Sequence, residues 1–168
     1  MINRWIGGVL MASCIVGSAC GAEPTQGVPA AEVAQIKADV TAAANEYLAK
    51  FSRGDAKGIA ESVYSHPAIT IRNGTVELTD EAAIADRYTN NIKTLKTTGW
   101  VKSAFIDPKV CVLSRTVALM SSRFARYDKD NKVIVENGET DLFTKTPQGW
   151  KLVALFGHDA AGGINCKE

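Results

Sequence analysis

Apolar residues recur every three or four positions in one long segment near the start of the chain. They are Val33, Ile36, Val40, Ala43, Tyr47 and Phe51. This spacing places them on one stripe of a helix that begins at about Glu32. Gly54 follows the last of them, and glycine is a frequent residue just past the end of a helix. The pattern therefore predicts a first helix over residues 32–53.

Two shorter helices are expected next. Asp55 is a suitable N-cap for a helix over residues 56–64. A third helix is predicted over residues 81–95, with Thr79 or Asp80 as its N-cap. Its apolar stripe consists of Ile84, Tyr88, Ile92 and Leu95.

The rest of the chain has the pattern of β-strands. Residues 68–72 form one candidate strand, and an Asn73-Gly74 turn leads to a short return strand over residues 76–78. After Gly99 the predicted strands cover residues 100–107, 109–115, 117–128, 132–145 and 150–157. Helices come first and a meander of long antiparallel strands follows. This order predicts an α+β domain with helices packed on one face of a curved sheet.

The N-terminus has the features of a secretory signal peptide. Arg4 supplies one positive charge, an uncharged apolar run covers residues 5–16, and small residues precede Glu23. The run is short for a membrane span. Cleavage after Ala22 would send the protein to the bacterial periplasm or the exterior. Cys20 offers the alternative of a lipoprotein anchor, although Gly17 stands where a lipobox usually has leucine.

These signals divide the chain into four parts. They are a signal peptide (1–22), a linker rich in proline and glycine (23–31), a single domain (32–160) and a C-terminal tail (161–168). After cleavage, Cys111 and Cys166 are the two remaining cysteines, and in an oxidising compartment we expect them to form a disulfide. Two free thiols are the alternative.

Composition limits the function classes. The 168 residues are 46% hydrophobic and 22% charged, with a net charge of +1, which suits one globular domain. Basic residues are scattered, so no nucleic-acid partner is predicted. No cofactor and no metal site are predicted, because neither cysteine is accompanied by a CxxC motif or a histidine cluster.

The final hairpin, residues 141–159, carries the most suggestive side chains. Asp141 shares its strand face with Phe143 and Glu139, so an inward Phe143 would bring the carboxyl group of Asp141 inward too. A buried carboxyl group needs a partner or a proton, which points to a functional role. The alternative is a bulge or a pairing with arginine. His158 has the parity of Trp150 on its own strand, and it is suited to acid–base chemistry.

Further residues are candidates for a ligand pocket on the inner side of the sheet. The predicted pocket comprises Tyr47, Phe51, His66, Trp100, Arg123, Tyr127, Asp141, Phe143 and His158. Each has an alternative structural role, such as a turn at His66, core packing at Trp100, or a solvated strand face at Arg123. The Glu136–Glu139 segment interrupts the alternation and predicts a bulge or a bend that helps to curl the sheet.

The order of these elements resembles the nuclear-transport-factor-2-like (NTF2-like) superfamily, which includes SnoaL-like proteins and ketosteroid isomerases. The resemblance covers residues 33–159. It is carried by YLAKFSRGD (47–55), the helix–strand passage to Ile71, and GWKLV (149–153). It implies a cone-shaped, cystatin-like sheet with the N-terminal helices on its concave face.

Comparison with the ketosteroid isomerases is informative residue by residue. Tyr47 and Asp141 match the positions of that family's two oxyanion-hole donors, where an apolar site keeps the aspartic acid protonated. The general base of that family would align near Ile71, whose hydrocarbon side chain cannot accept a proton. The resemblance therefore does not imply steroid isomerisation, and whether the chain is an enzyme stays open.

Three hypotheses follow. The first is an exported SnoaL-like protein that binds a small apolar or carbonyl-containing ligand in the cone. The second is an isomerase- or lyase-like enzyme in which Tyr47 and Asp141 polarise a carbonyl group and His158 moves a proton. The third is an interaction domain that forms a homodimer through its outer sheet face.

Overall fold

The computed structural model describes residues 27–72 and 74–166. The predicted signal peptide, the alternative lipid anchor at Cys20 and residues 23–26 of the linker lie outside these residues. Helix α1 covers Ala30–Arg53, α2 covers Ala56–Gly58 and continues as a π-helical turn over Ile59–Val63, and α3 covers Glu81–Lys96. All three predicted helices are present.

The helix ends have the local chemistry that the sequence indicated. Gly54 adopts a left-handed conformation, with φ of 81°, and its N–H bonds the carbonyl groups of Lys50 and Phe51. The side chain of Asp55 accepts a hydrogen bond from the Gly58 N–H. Asp80, rather than Thr79, caps α3 by accepting from the Ala83 N–H at 2.8 Å.

Six strands form one sheet in the order β2-β1-β6-β5-β4-β3. They cover Tyr64–Arg72 (β1), Thr75–Thr79 (β2), Trp100–Val112 (β3), Val117–Asp128 (β4), Val133–Thr146 (β5) and Gly149–His158 (β6). The predicted segments 100–107 and 109–115 belong to one strand, because the Asp107-Pro108 step is a bulge within β3. The β1–β6 pair is parallel, which the sequence did not indicate.

Irregular pairing occurs at other positions than predicted. Residues 136–139 pair regularly with β4, so of the two predicted alternatives, a bulge or a bend, the bulge is wrong. Phe143 pairs with Leu152 whereas Leu142 pairs with Ala154, which leaves Val153 as an extra residue in β6. Because side chains alternate along a strand, one extra residue reverses the face of every later side chain in β6.

The core lies between the helices and the inner face of the sheet. Ile36, Val40, Tyr47 and Phe51 of α1 are buried there, with α1 packed mainly against β3. The ring centroids of Phe51 and Trp100 are 5.0 Å apart. The amphipathic stripe predicted from the sequence is therefore the packed face of α1.

The C-terminal tail is attached to the outer face of the sheet. A disulfide joins Cys111 to Cys166, with 5.3 Å between their Cα atoms, which confirms the predicted pairing. The Ile164 N–H donates to the Ser121 hydroxyl at 3.0 Å. The tail therefore folds back over β4. Among the described residues, no helix is long and apolar enough to cross a bilayer.

Candidate functional site

A cavity of about 430 Å³ opens between the helices and the inner face of the sheet. Its apolar walls come from Tyr47, Phe51, Tyr88, Phe124 and Leu155. Polar groups and glycines complete the lining: Arg87, Asn91, Arg126, Asn137, Gly138, Glu139, Gly157, His158 and Asp159. Concave, partly apolar sites with a few convergent polar groups are where small molecules usually bind.

Three tyrosine hydroxyl groups form a chain at the buried end of this cavity. The Tyr64 and Tyr88 hydroxyl oxygens are 2.7 Å apart, and the Tyr88 hydroxyl donates to Tyr47 at 3.1 Å. The residues come from β1, α3 and α1, and all three are buried. Tyr47 and Tyr88 also meet edge to face, with ring centroids 5.9 Å apart. Hydrogen bonds between these hydroxyl groups thus link β1, α3 and α1.

Burial raises the pKa of each of these phenols. Desolvation is the largest cause for all three. For Tyr88 the pKa rises to about 12, with the nearby Glu139 carboxylate contributing. The three hydroxyl groups therefore stay neutral at physiological pH and serve as hydrogen-bond donors.

Two carboxyl groups lie side by side on β5. Glu139 and Asp141 are two residues apart and so share the inner face. Asp141 is fully buried, and its oxygens accept no hydrogen bond from a donor within residues 27–72 and 74–166. Burial is the main cause that raises the pKa of Asp141 well above its usual value, and the nearby charge of Glu139 raises it further.

Because burial favours the uncharged form of a carboxyl group, the raised pKa of Asp141 favours its protonated state. Glu139 in turn lines the cavity. The prediction that Asp141 faces inward agrees with its complete burial, but Asp141 is not among the residues that line the cavity.

Two arginine side chains are stacked on aromatic rings at the cavity. The Arg87 guanidinium lies 5.2 Å from the Tyr88 ring centroid, and Arg126 lies 5.2 Å from that of Phe124. Arg87 also donates hydrogen bonds to the hydroxyl groups of Thr70 and Tyr64. Both guanidinium groups are thereby oriented before any ligand binds.

His158 occupies a different place from the one its sequence parity indicated. The extra residue Val153 reverses the alternation, so the imidazole lies on the outer face with Thr140. Its Nε2 atom is 3.0 Å from the Thr140 hydroxyl, and Nδ1 is 2.8 Å from the Asp159 carbonyl oxygen. His158 is nevertheless one of the residues that line the cavity. The enzyme hypothesis requires Tyr47, Asp141 and His158 to converge, but the side chains of Asp141 and His158 lie on opposite faces of the sheet.

The other predicted pocket residues separate into two groups. Tyr47 and Phe51 line the cavity, whereas Phe143 and Trp100 are core residues outside its lining. Packing of Trp100 on Phe51 and a hydrogen bond from its Nε1 to Ser103 account for its position.

The remaining three lie at the surface, away from the cavity lining. His66 Nε2 is 3.5 Å from the Glu81 carboxylate. Arg123 pairs with Glu136 at 2.6 Å, and Lys102 lies 5.6 Å from the Tyr127 ring centroid. Each of the three side chains therefore has a charged neighbour outside the cavity.

Several cavity residues were not identified from the sequence. Arg87 and Asn91 lie on α3 beside Tyr88, which the pattern showed only as part of an apolar stripe. Helical spacing from Tyr88 offered a signal for Asn91, which lies three residues later, but not for the adjacent Arg87. Glu139 shares the parity of Asp141, so it was the nearest missed candidate. Within the described residues, no group of three or more His, Cys, Asp or Glu side chains is placed to hold a metal ion.

Solved structures with the same fold come from diverse bacteria. An NTF2-like protein with a cystatin-like fold from Novosphingobium aromaticivorans superposes with a TM-score of 0.65 at 16% identity, covering 79% of this chain and 86% of that one. A domain of unknown function from Nostoc punctiforme gives 0.59 at 19% identity, covering 79% of both chains.

A third structure, an NTF2-like superfamily protein from Salmonella enterica, gives a TM-score of 0.57 at 18% identity, covering 81% of this chain and 99% of that one. At these identities the likeness establishes the fold alone. No curated protein sequence matches the chain.

The family assignment comes from the sequence match to a described family. The family of NTF2-like proteins designated DUF6841 matches residues 38–160. This span includes α1 except for its first residues, the whole of α3 and all six strands of the sheet. This span agrees with the fold and with the resemblance inferred from the sequence. The chain therefore belongs to the NTF2-like DUF6841 family.

Proposed function

We propose that this protein binds a small organic molecule, apolar or carbonyl-containing, in the cone cavity. The observation that carries the proposal is the open cavity of about 430 Å³ with aromatic walls and oriented polar groups. Pockets of this size hold ligands of drug-like dimensions. A cavity filled by its own side chains would have favoured a purely structural role.

The polar groups of the cavity support binding more than catalysis. The tyrosine hydroxyls are already paired with one another, at 2.7 and 3.1 Å. His158 is engaged by Thr140 and by the Asp159 carbonyl group on the outer face. The acid–base residue of the enzyme hypothesis therefore already has hydrogen-bond partners on both ring nitrogens.

Native mass spectrometry and thermal shift against a panel of small carbonyl compounds test this proposal. Leu155→Trp fills the cavity and is expected to abolish any ligand-induced shift. Phe156→Trp is the matched control, because residue 156 lies on the opposite face of the same strand. Absence of any binder, or equal binding by both variants, contradicts the proposal.

A second candidate is an isomerase- or lyase-like enzyme, favoured by the Glu139–Asp141 pair. Glu139 lines the cavity two residues from the buried Asp141, whose pKa is raised by burial, and Tyr47 offers a hydroxyl donor to a substrate carbonyl. Exchange of α-hydrogens with deuterated water, followed by NMR, tests it. Glu139→Gln should abolish the exchange; if no carbonyl compound exchanges with the wild-type protein, this candidate fails.

Export and self-association are separate proposals. The N-terminal segment supports export to the periplasm or the exterior, and the mass of the mature protein recovered from cells would test cleavage after Ala22.

A homodimer through the outer sheet face is tested by light scattering. A mass equal to one chain at micromolar concentration would contradict it.

A further inference from the structure

Arg87 has a position that suggests the chemical class of the ligand. It lies on α3 beside Tyr88 and one turn before Asn91, and all three line the cavity. Its side chain is half-buried. A positive charge therefore borders the space in which a ligand would sit.

Contacts on several sides hold the Arg87 guanidinium group in place. It lies 5.7 Å from the Tyr64 ring centroid and 5.2 Å from that of Tyr88. One nitrogen donates to the Thr70 hydroxyl, and the other terminal nitrogen donates to the Tyr64 hydroxyl at 3.4 Å. An oriented guanidinium loses little freedom when it binds an anion.

Arg87 makes no ion pair with a carboxylate anywhere in residues 27–72 and 74–166. A guanidinium group has five N–H donors, and neutral hydroxyl groups accept from two of its nitrogens. A partly buried cation without a counterion is costly, and a ligand carboxylate would supply both the charge and the acceptors.

Other charged groups of the cavity limit the ligand further. Arg126 adds a second positive group from β4, while Glu139 and Asp159 add acidic groups from the end of the sheet. A ligand with several negative charges would be repelled by those acids. A single carboxylate on an uncharged body suits this arrangement.

We propose that the cavity ligand is a monocarboxylate with an aromatic or alicyclic body, and that Arg87 binds its carboxylate group. The body packs against Tyr47, Phe51 and Leu155. This inference rests on the proposed binding function and specifies its ligand class.

Matched acid and amide pairs test the inference, because they differ in charge and hardly in shape. We would measure binding of phenylacetate, phenylacetamide, 2-naphthoate and 2-naphthamide by calorimetry at low salt. The acids should bind at least tenfold more tightly than their amides. Arg87→Gln should weaken acid binding by about ten- to a hundredfold and change amide binding less than twofold, as expected for loss of a charge-assisted hydrogen bond.

Two variants serve as controls. Arg87→Lys keeps the charge and should retain part of the preference for acids, which separates charge from folding effects. Arg123→Gln removes an arginine outside the cavity and should leave both affinities unchanged. Circular dichroism verifies that each variant is folded.

The outcomes are distinguishable. Equal binding of acids and amides, or equal loss in Arg87→Gln and Arg123→Gln, overturns the carboxylate assignment and leaves the binding function standing. If neither acids nor amides bind the wild-type protein, and the wider carbonyl panel also fails, both proposals are wrong.

Discussion

The imidazole of His158 and the carboxyl group of Asp141 lie on opposite faces of the sheet. Asp141 pairs across the strands with Leu155 and faces the core, whereas His158 pairs with Gly138 and hydrogen-bonds Thr140 on the outer face. The extra residue Val153 in β6 reverses the alternation of the side chains that follow it, and this places His158 on the face opposite to Asp141. A site that combined the two groups would need a different register.

The proton on Asp141 predicts how stability depends on pH. Its pKa is raised on folding, so between the unfolded value of 3.8 and the folded value only the folded chain holds the proton. The free energy of unfolding should therefore fall as pH rises above about 3.8 through the folded pKa. Asp141→Asn should remove this slope and increase the free energy of unfolding by about 1–3 kcal/mol at pH 8.

Urea unfolding between pH 4 and pH 8 measures this effect. Asp159→Asn, at an exposed position, is the control and should keep the wild-type slope. A less stable Asp141→Asn protein at pH 8 would show that the carboxyl group is ionised and paired in the folded chain.

The disulfide should contribute substantially to stability. It closes a sequence separation of 55 residues. For a loop of this length the chain-entropy relation gives about 4 kcal/mol. Adding a reductant should lower the melting temperature of the wild-type protein and have no effect on a Cys111→Ser, Cys166→Ser double variant. Equal melting of the wild-type protein with and without reductant would contradict this prediction.

Gly138 is expected to tolerate no side chain. A Cβ atom there would lie 2.2 Å from His158 Nδ1 and 2.6 Å from the Asp159 carbonyl oxygen. Gly138→Ala should therefore displace the imidazole and reduce the free energy of unfolding by about 1–3 kcal/mol. Gly157 lies on the neighbouring strand, and a Cβ atom there meets nothing within 4 Å.

Denaturant unfolding of Gly138→Ala and Gly157→Ala compares the two positions directly. Gly157→Ala should leave stability nearly unchanged. NMR of the His158 ring adds a second readout, because its Nδ1 donates to a carbonyl oxygen and so carries the proton in the neutral ring. Equal destabilisation in the two variants would mean that the imidazole does not occupy this contact.

Tyr88 is the central member of the tyrosine chain, and its hydroxyl group takes part in both hydrogen bonds of the chain. Tyr88→Phe removes the hydrogen bonds at 2.7 and 3.1 Å and leaves buried hydroxyl groups on Tyr64 and Tyr47 without that partner. We expect a loss of about 1–3 kcal/mol in the free energy of unfolding. Tyr127→Phe, outside the cluster, serves as the control.

The same cluster predicts behaviour in alkali. Because folding raises the pKa of Tyr88 from 10.0 to about 12, the folded chain holds the phenolic proton longer than the unfolded chain. The free energy of unfolding should fall as pH rises above 10.0, and the loss should be smaller in Tyr88→Phe. Ultraviolet titration of tyrosinate absorbance measures this; full ionisation near pH 10 in the folded protein would contradict it.

The sequence by itself determined the helices, most strand positions, the fold class and the cysteine pairing. These depend on local periodicity, on capping residues such as Gly54 and Asp55, and on a count of cysteines. It also placed Asp141 inward, because alternation along β5 is regular from Glu139 to Phe143. Local patterns are reliable where no residue is inserted into a strand.

The tertiary structure alone decided the composition of the site. The bulge at Val153 moved His158 to the outer face, and bulges form where cross-strand packing favours them, which a single strand does not reveal. Arg87 and Tyr88 line the same cavity as Tyr47 and Glu139 only because α3 packs close to α1 and the sheet. Such contacts link residues far apart in the chain, so no spacing within the sequence encodes them.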